Sequence, residues 1–298
     1  MTRTGIEMPE LAVLLCARDA AATVGRAVTS TLRALPRDAE LRVLDDGSRD
    51  ATTDVVASIA DPRIRLARAA SGIGYASARQ RLLDESDSEV VAIMDADDVT
   101  LPWRFQVQAR ELGRADVLFS PIVSFGRRLR DFRPSLPVPV TTATSPLLLM
   151  LGGLFSHPTM YARRSALTAV GGYRPGAVAE DYDLQLRLAA DGRMIRRGAV
   201  PVLAYRRHPA QTSTNAAFHR RADEAGLVAE ARLALFERTF DWQGAGAPDA
   251  TEQWAIVRRE VVARRLGPLQ ATLVRRFARV RLGPPSDARR PSVQPPER

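Results

Sequence analysis

The chain has no lysine: all 43 of its basic residues are arginine. A phosphate-binding Gly-Lys-Ser/Thr loop therefore cannot exist here, and any mechanism that needs a lysine is excluded. There is one cysteine, Cys16, set inside an apolar stretch, so no internal disulfide can form and a small core residue in a reducing compartment is expected. Long apolar runs are missing too. The longest, near residues 146–155, is short and interrupted by Gly152 and Gly153, too little to span a bilayer. The first ten residues lack the apolar region of a secretory leader, so none is expected. No internal repeat emerges.

Acidic residues are scarce at one end only. From Val257 to Arg298, eleven arginines face Glu260, Asp287 and Glu297, a surplus of eight out of the net charge of +9. Residues 1–256 are thus nearly neutral, which argues against a body that binds nucleic acid across its working face. An apolar content of 45% over 298 residues suffices for one large α/β domain with appendages.

The stretch Val90 to Pro102 organises the rest. Val90 to Met94 is apolar without period-2 alternation, the pattern of a strand covered on both faces in a parallel sheet. It ends in Asp95-Ala96-Asp97-Asp98. Ligands of open α/β sheets lie beyond the carboxyl ends of strands, so Asp95, Asp97 and Asp98 are expected to project into a cleft. Three crowded carboxylates repel unless a cation or hydrogen bonds offset them, and a hard divalent ion with phosphate oxygens does so.

Earlier segments repeat this logic. Leu11 to Ala17 reads as a strand, Thr23 to Leu35 as a helix, and Leu41 to Leu44 as a strand ending in Asp45-Asp46-Gly47-Ser48. A helix over 54–59, a strand over 62–66 and a helix after Gly72-Ile73-Gly74 complete the alternation of a doubly wound sheet. Further on come a helix from Pro102 to Leu112, a strand over 116–120, and an aperiodic cover rich in Pro, Arg and Thr over 127–144. A strand over 160–163, helices over 164–170 and 181–190, and a strand over 200–205 ending in Arg206-Arg207-His208 follow. Beyond lie helical patterns over 218–240 and 252–266, the latter with Trp254, Val257 and Val261 on one face. Pro268 opens a last stripe, Leu273, Phe277 and Val280, opposite Arg275, Arg276 and Arg279. Such a helix either packs on the core or lies on an anionic membrane.

Four motifs then coincide: Leu44 to Asp50; Gly72 to Arg79; Met94 to Asp98 with Pro102; and Gly171-Gly172-Tyr173 followed by Glu180-Asp181-Tyr182-Asp183. In order and spacing over roughly residues 10–215 they resemble the family 2 glycosyltransferases of the GT-A fold. The resemblance implies a Rossmann-like α/β domain over 1–215, with a mostly parallel sheet flanked by helices. Its nucleotide-sugar half would span 10–120 and its acceptor and catalytic half 145–215. A helical extension over 216–282 and a disordered basic tail over 283–298 would follow.

The resemblance also implies roles. Asp46 looks like the acid that accepts the imide N–H of uracil or thymine, Arg79 like the arginine near the diphosphate, and Asp95 like the acid on the ribose side. Ala17 and Ala96 occupy the neighbouring nucleotide-sugar positions. Asp97 and His208 match ligands of Mg²⁺ or Mn²⁺, with Asp98 in support. Asp181 matches the base of an inverting transfer, with Glu180 beside it, and His157 lies in a segment used on the acceptor side. A nucleotide-sugar donor and a glycan or lipid-linked acceptor are the implied partners, in a cytoplasmic enzyme that touches an anionic membrane, if at all, through residues 254–282. The Gln-x-x-Arg-Trp signature of processive synthases is absent, so transfer of one sugar is expected. Two departures concern the base-binding end: Cys16-Ala17-Arg18-Asp19 replaces Pro-x-Tyr/Phe-Asn, and Gln80 follows Arg79 where Asn is frequent.

Other readings fit less well. A dehalogenase-like phosphatase resembles Asp-x-Asp-x-Thr with a later lysine, whereas Val99 fills the threonine position here. A sugar-nucleotide pyrophosphorylase needs catalytic lysines, and a dehydrogenase needs Gly-x-Gly-x-x-Gly after its first strand. The non-enzymatic alternative is an inactive nucleotide-sugar or nucleic-acid binder that uses the arginine tail, with salt-dependent binding localised to 257–298.

Overall fold

Apolar runs without polar alternation form strands buried on both faces here, and their burial sorts by parity. The computed structural model describes residues 10–126, 131–153, 155–208 and 226–284. In β1 (Leu11–Ala17), Ala12, Leu14 and Cys16 join one core cluster, and Leu11, Val13, Leu15 and Ala17 join the other. Helices cover both. On the second side lie α1 (Val24–Ala34), α2 (Thr52–Ala57) and α4 (Arg104–Leu112). On the first lie α3 (Tyr75–Asp84), α5 (Ser145–Met150), α6 (Arg164–Ala169) and α7 (Glu180–Ala190). Helix α1 shows why it packs: Val24, Ala27, Val28, Thr31 and Leu32 recur at helical spacing and are all buried.

The main sheet has seven strands. β3 (Ile64–Arg68), β2 (Glu40–Asp45), β1 and β4 (Val90–Asp95) are parallel neighbours in that order. Beyond β4 come β9 (Tyr161–Arg163), β6 (Val117–Phe119) and β10 (Ile195–Arg197), with β9 antiparallel to both β4 and β6. Strand order runs outward from β1 in both directions, so a crevice opens at the carboxyl ends of β1 and β4, the ligand-binding position of such sheets. Register places Asp95 beside Cys16 and Asp45 beside Ala17 at that edge.

A second, four-stranded sheet combines β5 (Val99–Thr100), β11 (Leu203–Arg206), β7 (Ile122–Phe125) and β8 (Arg133–Pro134). It brings the end of β11 against the Asp95–Asp98 turn. Strands β7, β8 and β10 were not foreseen, and the cover segment is less irregular than expected. Besides β8, Val140 exchanges backbone hydrogen bonds with Arg197, at 2.9 and 3.0 Å.

Among the described residues, three C-terminal helices follow, α8 (Gly226–Phe240), α9 (Ala250–Ala263) and α10 (Pro268–Leu282). A capping box of Asp249 and Glu252 starts α9. Val228, Leu235, Trp254, Val257, Val261 and Val274 join the core cluster of α5 and α7. The expected stripe on α10 is corrected in part: Leu273 and Phe277 pack against the core beside the buried Ala271, Val274 and Ala278, while Val280 is 76% exposed. The expected boundary at 215, the start of the helix at 218 and most of the tail lie outside the described residues. Among those described, no helix is long and apolar enough to cross a membrane.

Candidate active site

Asp46 is placed by a tight loop-to-loop contact. Gly47 has φ +70°, and a Cβ there would meet the backbone of Ser71 and Gly72 at 2.7 Å, so only glycine fits this turn. The approach lets the carboxylate of Asp46 close the 71–74 loop: Oδ1 accepts from the N–H of Ile73 at 2.6 Å, and Oδ2 from that of Gly74 at 3.0 Å. Each oxygen keeps a further lone pair. The Asp46 N–H donates to the carbonyl of Ala17 at 2.8 Å. Ala17 is itself buried, so it meets the cleft through the backbone it fixes.

Arg79 joins the two halves of the domain. Its Nη2 lies 2.9 Å from Oδ1 of Asp95 at the end of β4, and its Nη1 donates to Glu180 at the start of α7. The guanidinium is almost fully buried. Burial opposes its charge, but Asp95 and Glu180 more than offset this and hold it cationic. Burial also pushes the Glu180 carboxyl up to about 7, with Arg79 opposing and the neighbouring Asp181 adding repulsion. Asp95 is raised as well, first by desolvation, with Asp97 and Asp181 contributing like charge against Arg79. Buried Cys16 reports the same convergence. Its thiol is pushed up to about 12 by burial, and Arg79, Asp95, Asp46 and Glu180 are all near enough to act on it.

The Asp-x-Asp turn splits its acids. Asp97 points outward, with Oδ2 3.1 Å from Nε2 of His208. Ala96 sits nearly buried between the two cleft acids. Asp98 does not project into the cleft, contrary to expectation: it is 1% exposed. Its Oδ1 accepts the N–H of Arg206 at 2.8 Å, while Nε of Arg206 donates to the carbonyl of Asp97 at 2.8 Å. The reason is the second sheet, whose strand β11 supplies the N–H that draws Asp98 inward. Desolvation, then Asp95 and Asp97, push the Asp98 carboxyl well up. Asp98 thus fastens β11, and with it His208, to the turn that carries Asp97.

Asp97 and His208 form a half-buried oxygen and nitrogen pair suited to a divalent ion. Among the described residues no group of three metal-binding side chains is assembled. This set fits an ion completed by water and substrate phosphate oxygens, the usual arrangement for Mg²⁺, rather than one held in an all-protein cage.

Helix α7 brings in the remaining acids. Oδ1 of Asp181 accepts the N–H of Tyr182 at 2.8 Å, and the side chain is partly exposed. Two residues on, Asp183 is fully buried between Arg174 and Arg187, a structural ion pair that fixes the start of the helix against the Gly171–Tyr173 turn. Gln80 locks the same turn, its Oε1 accepting from the N–H of Tyr173 at 2.6 Å. His157 is 4% exposed, with Nε2 3.0 Å from the hydroxyl of Tyr173, and burial holds the imidazole well below its ordinary range. It is a buried, neutral hydrogen-bond partner of Tyr173, on the turn that precedes α7.

Two contributors were not foreseen. Arg206 follows from no motif, although it closes the strand that delivers His208. Arg18, directly after β1, places Nη1 3.8 Å from Asp46. The left-handed φ of +49° at Asp19 and hydrogen bonds to Ser48 and Arg49 hold that turn. Its position at a strand end was the available signal.

The model of the family described as "Glycosyl transferase family 2" matches residues 12–171. The succinoglycan biosynthesis protein ExoO of Rhizobium meliloti is 31% identical over 157 residues, covering 50% of this chain and 44% of that protein. The UDP-Glc:alpha-D-GlcNAc-diphosphoundecaprenol beta-1,3-glucosyltransferase WfgD of Escherichia coli is 26% identical over 109 residues, 37% of this chain and 43% of that one. The chain therefore spans less than half the length of these relatives. The crystal structure of S. aureus TarS in complex with UDP-GlcNAc superposes with a TM-score of 0.57 at 15% identity, over 92% of this chain and 71% of that chain, a likeness of fold. Asp181 and His208 lie beyond the segment matched by the family model.

Proposed function

Because the chain belongs to glycosyl transferase family 2, we propose that it transfers one sugar, with inversion, from a UDP- or dTDP-sugar to a glycan or lipid-linked acceptor in polysaccharide biosynthesis. The observation that carries this reading is Arg79, a buried cation that ties Asp95 on the donor side to Glu180 beside Asp181. In this reading Asp46 receives the imide N–H of the base. Asp97 and His208 would hold Mg²⁺ or Mn²⁺, which would supply positive charge to offset that of the diphosphate. Asp181 takes the proton of the acceptor hydroxyl as its oxygen bonds to the anomeric carbon and the bond from that carbon to the diphosphate oxygen breaks. One carboxylate base suffices, since no covalent sugar–enzyme intermediate forms.

A lipid-linked acceptor is supported by one relative, WfgD, whose name gives a diphosphoundecaprenol acceptor. A donor panel tests the proposal. With UDP-, dTDP-, GDP- and ADP-sugars in Mn²⁺, hydrolysis and thermal stabilisation should appear with UDP or dTDP and disappear on chelation. Equal response to all four bases would remove the role assigned to Asp46.

A further inference from the structure

We propose that the outer face of α10 docks on an anionic lipid bilayer. The inner face, Ala271, Val274 and Ala278, is used up in the core against α5 and α9. The opposite face carries Leu269, Thr272, Arg276, Arg279 and Val280 at three- and four-residue spacing, with Arg275 alongside, all exposed. Leu269 and Val280 are 58% and 76% exposed, and Val262 on neighbouring α9 is 74% exposed. Among the described residues no carboxylate pairs with Arg275, Arg276 or Arg279. Glu252 is the one exposed acid of α9 and α10, and it caps its own helix.

This composition identifies the occupant. A row of like charges repels itself and is relieved by an anionic partner, and guanidinium groups pair well with phosphate oxygens. A nucleic acid would satisfy the arginines but gain nothing from Leu269, Val262 and Val280. A bilayer accommodates both, with phosphate head groups for the arginines and the acyl boundary for the aliphatic side chains. The inner side of α10 ends against the segment after α5, which in turn meets α7. A Cβ on Gly152 would lie 3.3 Å from the guanidinium of Arg281, and one on Gly153 would lie 3.9 Å from the ring of Tyr182, the residue after Asp181.

Co-sedimentation of the full chain with vesicles, without donor or acceptor, tests the docking. Vesicles of phosphatidylcholine mixed with phosphatidylglycerol should pull the protein down, those of phosphatidylcholine alone should not, and high salt should release it. Each arginine near such a surface contributes roughly fivefold to partitioning. The triple variant Arg275→Gln/Arg276→Gln/Arg279→Gln should therefore bind about a hundredfold more weakly. The control Arg26→Gln/Arg33→Gln/Arg37→Gln, which removes exposed charges from the region of α1, should bind like wild type. Equal binding to both vesicle types, binding to neither, or equal loss in the two triple variants would overturn the proposal. Because the readout involves no turnover, that failure leaves the donor panel to judge the transferase reading independently.

Discussion

Replacing Asp181 by Asn is expected to lower kcat by about 10² to 10⁴-fold while leaving donor affinity nearly unchanged. The amide keeps the shape of the side chain and can still accept the Tyr182 N–H at its oxygen, so the start of α7 has no reason to move. What is lost is the capacity to take a proton from the acceptor hydroxyl at the moment of attack. Initial rates with varied donor, together with equilibrium donor binding, check this. A many-fold rise in donor KM with kcat preserved would make Asp181 a donor-binding group and remove it as the base.

The second large effect concerns stability. Arg79→Met should destabilise the fold by about 2 to 4 kcal/mol, because it leaves a largely buried Glu180 and a half-buried Asp95 without their shared cation. Adding Glu180→Gln should return part of that loss, since one of the two orphaned charges is then gone. Glu180→Gln alone has a distinct pH signature. The folded state holds the Glu180 proton up to about 7, above the ordinary glutamate range near 4.5. The folded form therefore binds more protons between these values, and the stability this confers, complete below about 4.5, is lost as pH rises to about 7. Urea midpoints at intervals across this window should fall with pH in wild type, by an amount equivalent to about 3 kcal/mol at most, and fall less in Glu180→Gln. Identical pH profiles would show that Glu180 titrates normally and that the buried triad is misjudged.

Much of this fold is legible in the sequence because buried parallel strands write themselves as apolar runs. Leu11 to Ala17 and Val90 to Met94 lie in strands where expected, and the acids after β2 and β4 fall at one edge because the strands are parallel. Val117–Phe119 falls inside the strand expected over 116–120, whereas Ile195–Arg197 is too short to carry a period, and a pairing partner far along the chain decides it. The antiparallel insertion of β9 between β4 and β6 is a decision of the same tertiary kind.

The cleft divides similarly. That Asp46, Asp95, Asp97 and the Glu180-Asp181 pair meet was foreseeable from strand ends and a helix start. That Asp97 turns outward while Asp98 turns in was not, since adjacent residues of a turn look alike until the Arg206 N–H arrives from β11. Arg79 bridging to Glu180 links residues 101 positions apart, a distance over which no local pattern operates. On α10, Leu273 and Phe277 of the expected stripe do pack on the core, but the fully buried positions include the smaller Ala271 and Ala278, which hydropathy did not pick out, and Val280 faces outward. Small residues permit near approach of helices, and a stripe chosen by size of hydrophobe misses them.

The proposed transfer requires a donor diphosphate to be held where Asp97 meets His208, in the cleft closed by Arg79. Calorimetric titration of UDP with and without Mn²⁺, on wild type, Asp97→Ala and Asp181→Asn, tests it most directly. The expected result is binding that requires the metal in wild type, persists in Asp181→Asn and is lost in Asp97→Ala. Metal-dependent binding retained in Asp97→Ala, or metal-independent binding in all three, would contradict it.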